Sequence, residues 1–208
     1  MIVKIIGASP LELAPLYHKD EDEFIFACDG GILICDEIGI KIDAALSDGD
    51  SSNLEETLLK HPDIKIYNPI KDKGDLDLAL DALDDNEFLD KKDISIVKVY
   101  NALGGRMDHT IAALIDLKLH RNLPIHLLDQ DNDIFLIKGP IKQKIETKDY
   151  KYFSLYSFED SVISIHHAHY NLDHYLLKST DNLCLSNQMI DHYSEIETDK
   201  DLICVFSK

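Results

Sequence analysis

Three short stretches of this sequence carry residue types that do chemistry on phosphates or metal ions. In Ala44-Ala-Leu-Ser-Asp-Gly-Asp-Ser-Ser-Asn, Asp48 and Asp50 flank Gly49. A glycine there lets the backbone bend so that both carboxylates reach one point. Two carboxylates that close repel unless a cation lies between them. Mg²⁺ suits such a pair, because it takes oxygen ligands, uses one or two carboxylates and fills its other positions with water and substrate phosphates. The same residues also suit an Asp-rich turn capping a helix that starts near Asn53, and turns are the commoner use of Asp and Gly. The second stretch, Asn68-Pro-Ile-Lys-Asp-Lys-Gly-Asp-Leu-Asp, sets Asp75 at or near the first turn of a helix. The helix dipole stabilises a carboxylate at that point. Lys71 and Lys73 are the cations nearby, able to reach a phosphate or to remain surface lysines. The third stretch is Ala102-Leu-Gly-Gly-Arg-Met-Asp-His-Thr. Its paired glycines admit a ligand to the backbone or make a tight turn, and Arg106 offers a planar fork for phosphate or carboxylate. Asp108 is a candidate cap of the helix that follows. Neither a P-loop nor a Gly-x-Gly-x-x-Gly cradle is present.

Groups this far apart along the chain meet only if strands end beside them. Apolar, β-branched runs at residues 2–6, 24–28, 44–46, 65–67, 94–100 and 125–128 predict strands. Helical spacing over 75–88 puts Leu76, Ala79, Leu80 and Leu83 on one face, with Asp81, Asp84, Asp85 and Glu87 as a solvated face. Over 108–121 the same spacing puts Ile111, Ala112, Ile115 and Leu119 on one stripe. Strands alternating with helices predict an α/β domain with a largely parallel sheet, over residues 1–131. Ligands of such sheets sit beyond the carboxyl ends of the strands, where all three stretches fall.

From about residue 132 the rhythm changes to short strand-like runs at 134–137, 142–146, 152–157, 162–167, 183–185 and 202–206. Turn residues separate them and no helical period lasts. A smaller all-β domain, a sandwich or partial barrel, is predicted over 132–208. The run of His166, His167, His169 and His174 invites a zinc hypothesis. In a strand, however, His166 faces away from His167, and no Cys or carboxylate stands at a convincing fourth spacing.

Composition narrows the partners. Of 208 residues 39 are acidic and 21 basic, a net charge of −18, and residues 43–90 alone hold 14 acidic against 4 basic side chains. So acidic a chain is no sequence-blind nucleic-acid binder and no ligand for anionic membranes. It can hold a polyanion when a divalent cation sits between them. No apolar run approaches the ~20 residues of a membrane helix, and Met1-Ile-Val-Lys-Ile-Ile-Gly reads as a first strand rather than an export signal. Cys28, Cys35, Cys184 and Cys204 show no Cys-x-x-Cys spacing and read as reduced, packed thiols of a cytoplasmic protein.

Five segments together resemble the thiamine pyrophosphokinase family, in order and spacing, over nearly the whole chain. They are Ala27-Cys-Asp-Gly-Gly, Ser47-Asp-Gly-Asp-Ser, Lys71-Asp-Lys-Gly-Asp-Leu-Asp-Leu-Ala-Leu, Gly104-Gly-Arg-Met-Asp-His and Ser186-Asn187. The resemblance implies an α/β catalytic domain, a β-rich thiamine-binding domain and a homodimer with sites between subunits. It implies ATP and thiamine as substrates, with Mg²⁺ held by Asp48, Asp50 and Asp75. Asp29 matches the family's first acidic loop position, Arg106 and Asp108 its nucleotide-side residues, and Ser186 and Asn187 its thiamine pair. Lys71 is the lysine expected on the ATP phosphates. Gly74 stands where members commonly have Thr. A pyrophosphokinase acting on another alcohol, such as a hydroxymethylpterin, and a non-catalytic thiamine or nucleotide sensor are the alternatives.

Overall fold

The computed structural model describes residues 1–9, 13–46, 59–61, 64–67 and 73–208, so Asp48, Asp50 and Lys71 lie outside the described residues. Two compact units divide the chain, Met1–Asp129 and Gln130–Lys208.

In the first unit, apolar runs form β1 (Ile2–Ile6), β2 (Glu23–Cys28), β3 (Ala44–Leu46), β4 (Lys65–Tyr67), β5 (Ile96–Tyr100) and β6 (Ile125–Leu128). They pair in the order β4-β3-β2-β1-β5-β6. Every pair is parallel. The strands are nearly continuous apolar runs, as a sheet covered on both faces requires. The chain winds outward one way from β1 through β4, then returns to the other side of β1 with β5 and β6. The order therefore reverses between β1 and β5, and a crevice opens at such a reversal.

Three helices are described here: α1 (Gly30–Ile38), α2 (Asp75–Asp84) and α3 (Met107–Leu119). The sequence reading contained no helix at 30–38, because two glycines open it and its apolar residues resemble a strand. Close packing explains the glycines. A Cβ on Gly31 would lie 2.1 Å from the Ile6 carbonyl oxygen, so α1 starts directly against the end of β1. Gly31→Ala forces that helix off the sheet. It is expected to lower the urea midpoint by the equivalent of roughly 1–3 kcal/mol, the usual cost of overpacking. A wild-type midpoint would contradict the close contact. Gly39, left-handed at φ 72°, ends the helix, its N–H and that of Ile40 bonding back to Asp36 and Cys35.

The buried face of α2 is Leu78, Ala79, Leu80, Ala82 and Leu83, close to the predicted one. The opposite face departs from expectation. Asp85 and Glu87 are exposed, but Asp81 pairs with Lys73, and Asp84 with His120 and Lys91. In α3 the predicted apolar stripe points the wrong way. Ile111, Ile115 and Leu119 are 53%, 47% and 62% exposed, while Ala113, Asp116 and Leu117 are buried. The inner side is taken by the small Ala113, by Leu117 and by the polar Asp116 and His120.

A buried ion pair fastens the sheet's other face. Lys4 of β1 is fully buried; its Nζ donates to Glu23 Oε2 at 2.6 Å and to the His18 carbonyl, and lies 2.8 Å from Asp20 Oδ2. The Tyr17 hydroxyl donates to Glu23 Oε1 at 2.6 Å. Hydrogen bonding to Lys4 holds the Asp20 carboxyl below its ordinary range. For Glu23 burial works upward, but the hydrogen bonds from Lys4 and Tyr17 outweigh it and the net shift is down.

The second unit is a sandwich of two antiparallel sheets. One takes β7 (Asn132–Ile137), β9 (Tyr152–Ser157) and β13 (Leu202–Ser207), with β13 central. The other runs β11 (Leu172–Leu177), β10 (Ser161–His166), β12 (Tyr193–Thr198), β8 (Ile141–Glu146). Alternate residues of both turn inward: Phe153, Leu155, Leu202 and Cys204 from one sheet meet Ile145, Ile163, Ile165 and Ile196 from the other. The predicted strand at 183–185 is a turn, and β11 and β12 were not foreseen. Both alternate with polar and charged residues, which masks the apolar signal. All four cysteines are buried thiols.

Candidate active site

The crevice at the β1/β5 reversal is a cleft of about 740 Å³. Its floor is two loops stitched together where those strands end. Gly7 N–H donates to the Tyr100 carbonyl at 2.9 Å, Ser9 N–H to the Asn101 carbonyl at 3.0 Å, and Asn101 Nδ2 to the Ser9 carbonyl at 2.8 Å. A Cβ on Gly7 would sit 2.7 Å from the Asn101 oxygen, so only glycine fits. Asn101, Gly104 and Gly105 all take positive φ, which turns the chain from β5 into α3 within six residues.

Two helix N-termini face this cleft. Asp75 opens α2, lines the cleft and is exposed there. Among the described residues its carboxylate makes no hydrogen bond or ion pair. Gly74 caps the helix with no side-chain hydrogen bond. The first N–H groups of α2 are thus left to the cleft, and their partial positive charge favours anions. At α3 the N-cap is Arg106 and no side chain caps it. Asp108, read as a candidate cap, instead sits inside the first turn and accepts from the Arg106 fork, Nε at 3.1 Å and Nη2 more closely. Hydrogen bonding to that guanidinium holds the Asp108 carboxyl below its ordinary value. The pair is well exposed on the cleft.

Asp29 belongs to the same edge. It follows β2 with φ 45°, and its N–H donates to the carbonyl of Leu46, the last residue of β3, at 3.2 Å. The end of β3 therefore lies beside Asp29. The buried Cys28 thiol, next to Asp29, lies 3.9 Å from the Asp75 carbonyl oxygen, so the end of β2 meets the start of α2; burial first, then the Asp75 and Asp29 carboxylates, push that thiol far up. Asp75, Arg106 and Asp108 thus meet on one cleft, with Asp29 adjoining. Asp48, Asp50 and Lys71, named with them in the sequence, lie outside the described residues.

Ser186 and Asn187 belong to the second unit. Asn187 is 3% exposed, and its amide is largely committed. Oδ1 accepts from Tyr170 N–H at 3.1 Å and Gln188 N–H at 2.9 Å, while Nδ2 donates to the Tyr170 carbonyl at 2.7 Å, leaving one Nδ2 proton. Ser186 is exposed, at φ 57°. The histidine run does not converge. His167 stacks on Tyr193 at 3.9 Å, and His174 pairs with Asp173.

Sequence reasoning missed Asp116 and His120. Asp116 lines the cleft at 6% exposure, and burial first, then Asp77, push its carboxyl up to about 6. The spacing Asp116-x-x-x-His120 was the available signal, hidden by the apolar stripe chosen as the buried face.

Two family descriptions match. "Thiamin pyrophosphokinase, catalytic domain" covers residues 17–127, and "Thiamin pyrophosphokinase, vitamin B1 binding domain" covers 141–203. The chain belongs to the thiamine pyrophosphokinase family. The thiamine pyrophosphokinase of Bacillus subtilis (strain 168) is 28% identical over 198 residues, 90% of this chain and 89% of that protein. A crystal structure of thiamine pyrophosphokinase from Bacillus subtilis superposes with a TM-score of 0.85 at 25% identity, covering 100% of this chain and 99% of that one. The Candida albicans thiamin pyrophosphokinase, at 16% identity, shares the fold with a TM-score of 0.78 over 99% of this chain and 89% of its own. An α/β unit followed by an antiparallel β sandwich is thus the family's architecture as well as this chain's. No helix among the described residues is long and apolar enough to cross a membrane.

Proposed function

We propose that this chain is a Mg²⁺-dependent thiamine pyrophosphokinase: ATP and thiamine give AMP and thiamine diphosphate. The observation that carries the reading is Asp75, a carboxylate without a partner among the described residues, held at a helix N-terminus on a cleft opposite a guanidinium. Its hard oxygen, with Asp29 close by, fits Mg²⁺, and Asp48 and Asp50 would complete the set that holds the ion. The ion, when bound, neutralises charge on the phosphates. Everything else asked of the protein is positioning and charge. Arg106 exchanges Asp108 for phosphate oxygens, and the uncapped N–H groups of α2 receive another. Lys73, on the cleft wall, and Lys71 add positive charge. Gly7, Gly104 and Gly105 let the nucleotide approach the backbone. The thiamine hydroxyl attacks the β-phosphorus, the bond to the α,β-bridging oxygen breaks, and AMP leaves with that oxygen. The hydroxyl proton passes to a carboxylate of the acidic edge. Exposed Ser186 and the remaining Nδ2 proton of Asn187 serve the aminopyrimidine.

A homodimer agrees with the outward apolar stripe of Met107, Ile111, Ile115 and Leu119, which continues directly from the Arg106 turn. A cytoplasmic setting suits four buried thiols. Incubation of the purified chain with ATP, Mg²⁺ and thiamine, resolving AMP from ADP, tests the reaction. AMP with an equal yield of thiamine diphosphate is expected. AMP formed only with a hydroxymethylpterin, or no AMP with either acceptor, would overturn it.

A further inference from the structure

His120 joins the two helices that carry the acid and the guanidinium of the cleft. It is the C-cap of α3 and is 5% exposed. Its Nε2 lies 2.8 Å from Asp77 Oδ1 and its Nδ1 3.1 Å from Asp84 Oδ2. Both carboxylates belong to α2, one in its first turn and the other at its last residue, and two turns of helix put them on one face. An ionised carboxylate only accepts hydrogen bonds, so both ring nitrogens donate and the ring is an imidazolium. Its surroundings favour that charge. The C-terminal end of α3 is the negative end of the helix dipole, and Asp81 brings a third carboxylate within 4.8 Å. The half-exposed Lys73 pairs with Asp77 and Asp81, and Lys91 with Asp84.

This bridge matters because apolar packing gives α3 little hold. Of its 13 residues three are buried, Ala113, Asp116 and Leu117, while Ile111, Ile115 and Leu119 face outward. A surface helix is ordinarily kept in place by burying its apolar face, which α3 does not do. The opposite end of α3 carries Arg106 and Asp108. At the usual helical rise, Arg106 and His120 are about 21 Å apart along the axis. Over that length a tilt of about 5° displaces one end by about 2 Å. A misplacement of about 1 Å in an active site can cost about 100-fold in rate.

We infer that His120 is a positioning residue: by bonding Asp77 and Asp84 at once, it seats α3 on α2 and fixes the Arg106 fork relative to Asp75. The role rests on the pyrophosphoryl transfer proposed above, in which those two groups act on the same phosphates. His120, Asp77 and Asp84 do not line the cleft, so their effect on the chemistry is carried through the two helices.

Nuclear magnetic resonance and steady-state kinetics of the full chain test this. With ¹⁵N-labelled histidine at pH 6, both ring N–H protons of His120 should be visible and protected from exchange with water. His120→Gln, which keeps at most one of the two bonds and no charge, identifies those signals by their loss. Its kcat for AMP release, at saturating ATP and thiamine and below its melting temperature, should fall at least tenfold. Asp84→Asn removes one acceptor from a partly exposed position and should lower kcat as well. The double variant should be no slower than His120→Gln alone, because the two residues act as one unit. A side chain that served stability alone would leave kcat of the folded variants unchanged. Circular dichroism identifies any variant that fails to fold, and Asp84→Asn then decides. Wild-type kcat in a folded variant, additive losses in the double variant, or a single ring N–H overturns the positioning role while leaving the reaction standing. No AMP from the wild type overturns the reaction, and the role with it.

Discussion

Asp75→Asn should release AMP at least 100-fold more slowly than the wild type, with the fold unchanged. The side chain keeps its size and its place at the start of α2, so packing is undisturbed. What disappears is one negative charge exposed on the cleft, the charge that would hold a cation against phosphate oxygens. Losing one preorganised charge-stabilising group from an active site costs about 10²–10³ in turnover. The loss belongs in kcat rather than in thermal stability, since among the described residues this carboxylate bonds to nothing that folding depends on. The companion variant Asp48→Asn, altering a residue outside the described ones, should behave alike. AMP release resolved by chromatography, with circular dichroism and a melting curve beside it, checks both. Near-normal turnover in both purified variants would refute the metal assignment.

Lys4→Met should produce the largest loss of stability. Methionine fills much the same volume, but the substitution strands Glu23, 12% exposed, and Asp20 beside an apolar strand. Breaking a buried pair by removing one partner costs about 3–5 kcal/mol. The same network sets an acid limit. Asp20 and Glu23 have folded-state pKa values below their unfolded ones. Their contribution is therefore complete above the ordinary carboxylate range near about pH 4 and is lost as pH falls through the folded values. Urea midpoints of wild type and Lys4→Met should thus lie far apart at neutral pH and converge in acid. Parallel curves down to the acid limb would show that Lys4 is not the partner that matters.

Legibility varied with how closely a residue's type reports its surroundings. The six parallel strands are doubly covered and nearly pure in β-branched and apolar residues, so they stood out in the sequence. Glycine-rich α1 did not, because Gly31 is there for its contact with Ile6, a partner some 25 residues away. Helix α3 showed its apolar stripe plainly, but periodicity cannot say which neighbour a stripe meets. Here the inner side went to Ala113, Asp116 and His120, and the stripe was left outside. The strands β11 and β12 carry Asp173, His174, Glu195 and Glu197 among their apolar residues, which hid them.

For the site, the sequence alone determined which candidate groups the chain offers. Carboxylates at 75 and 108, a guanidinium at 106 and paired glycines at 104–105 can be read without coordinates, since charge and backbone freedom are properties of the residue itself. Only the tertiary structure decided who meets whom. It turned Arg106 onto Asp108, left Asp75 open to the cleft, spent most of the Asn187 amide on Tyr170, and folded an acidic helix face around His120. Those outcomes depend on which helix packs against which. The contacts of Asn187 and His120 join residues 17 to 43 positions apart, beyond the reach of any local pattern.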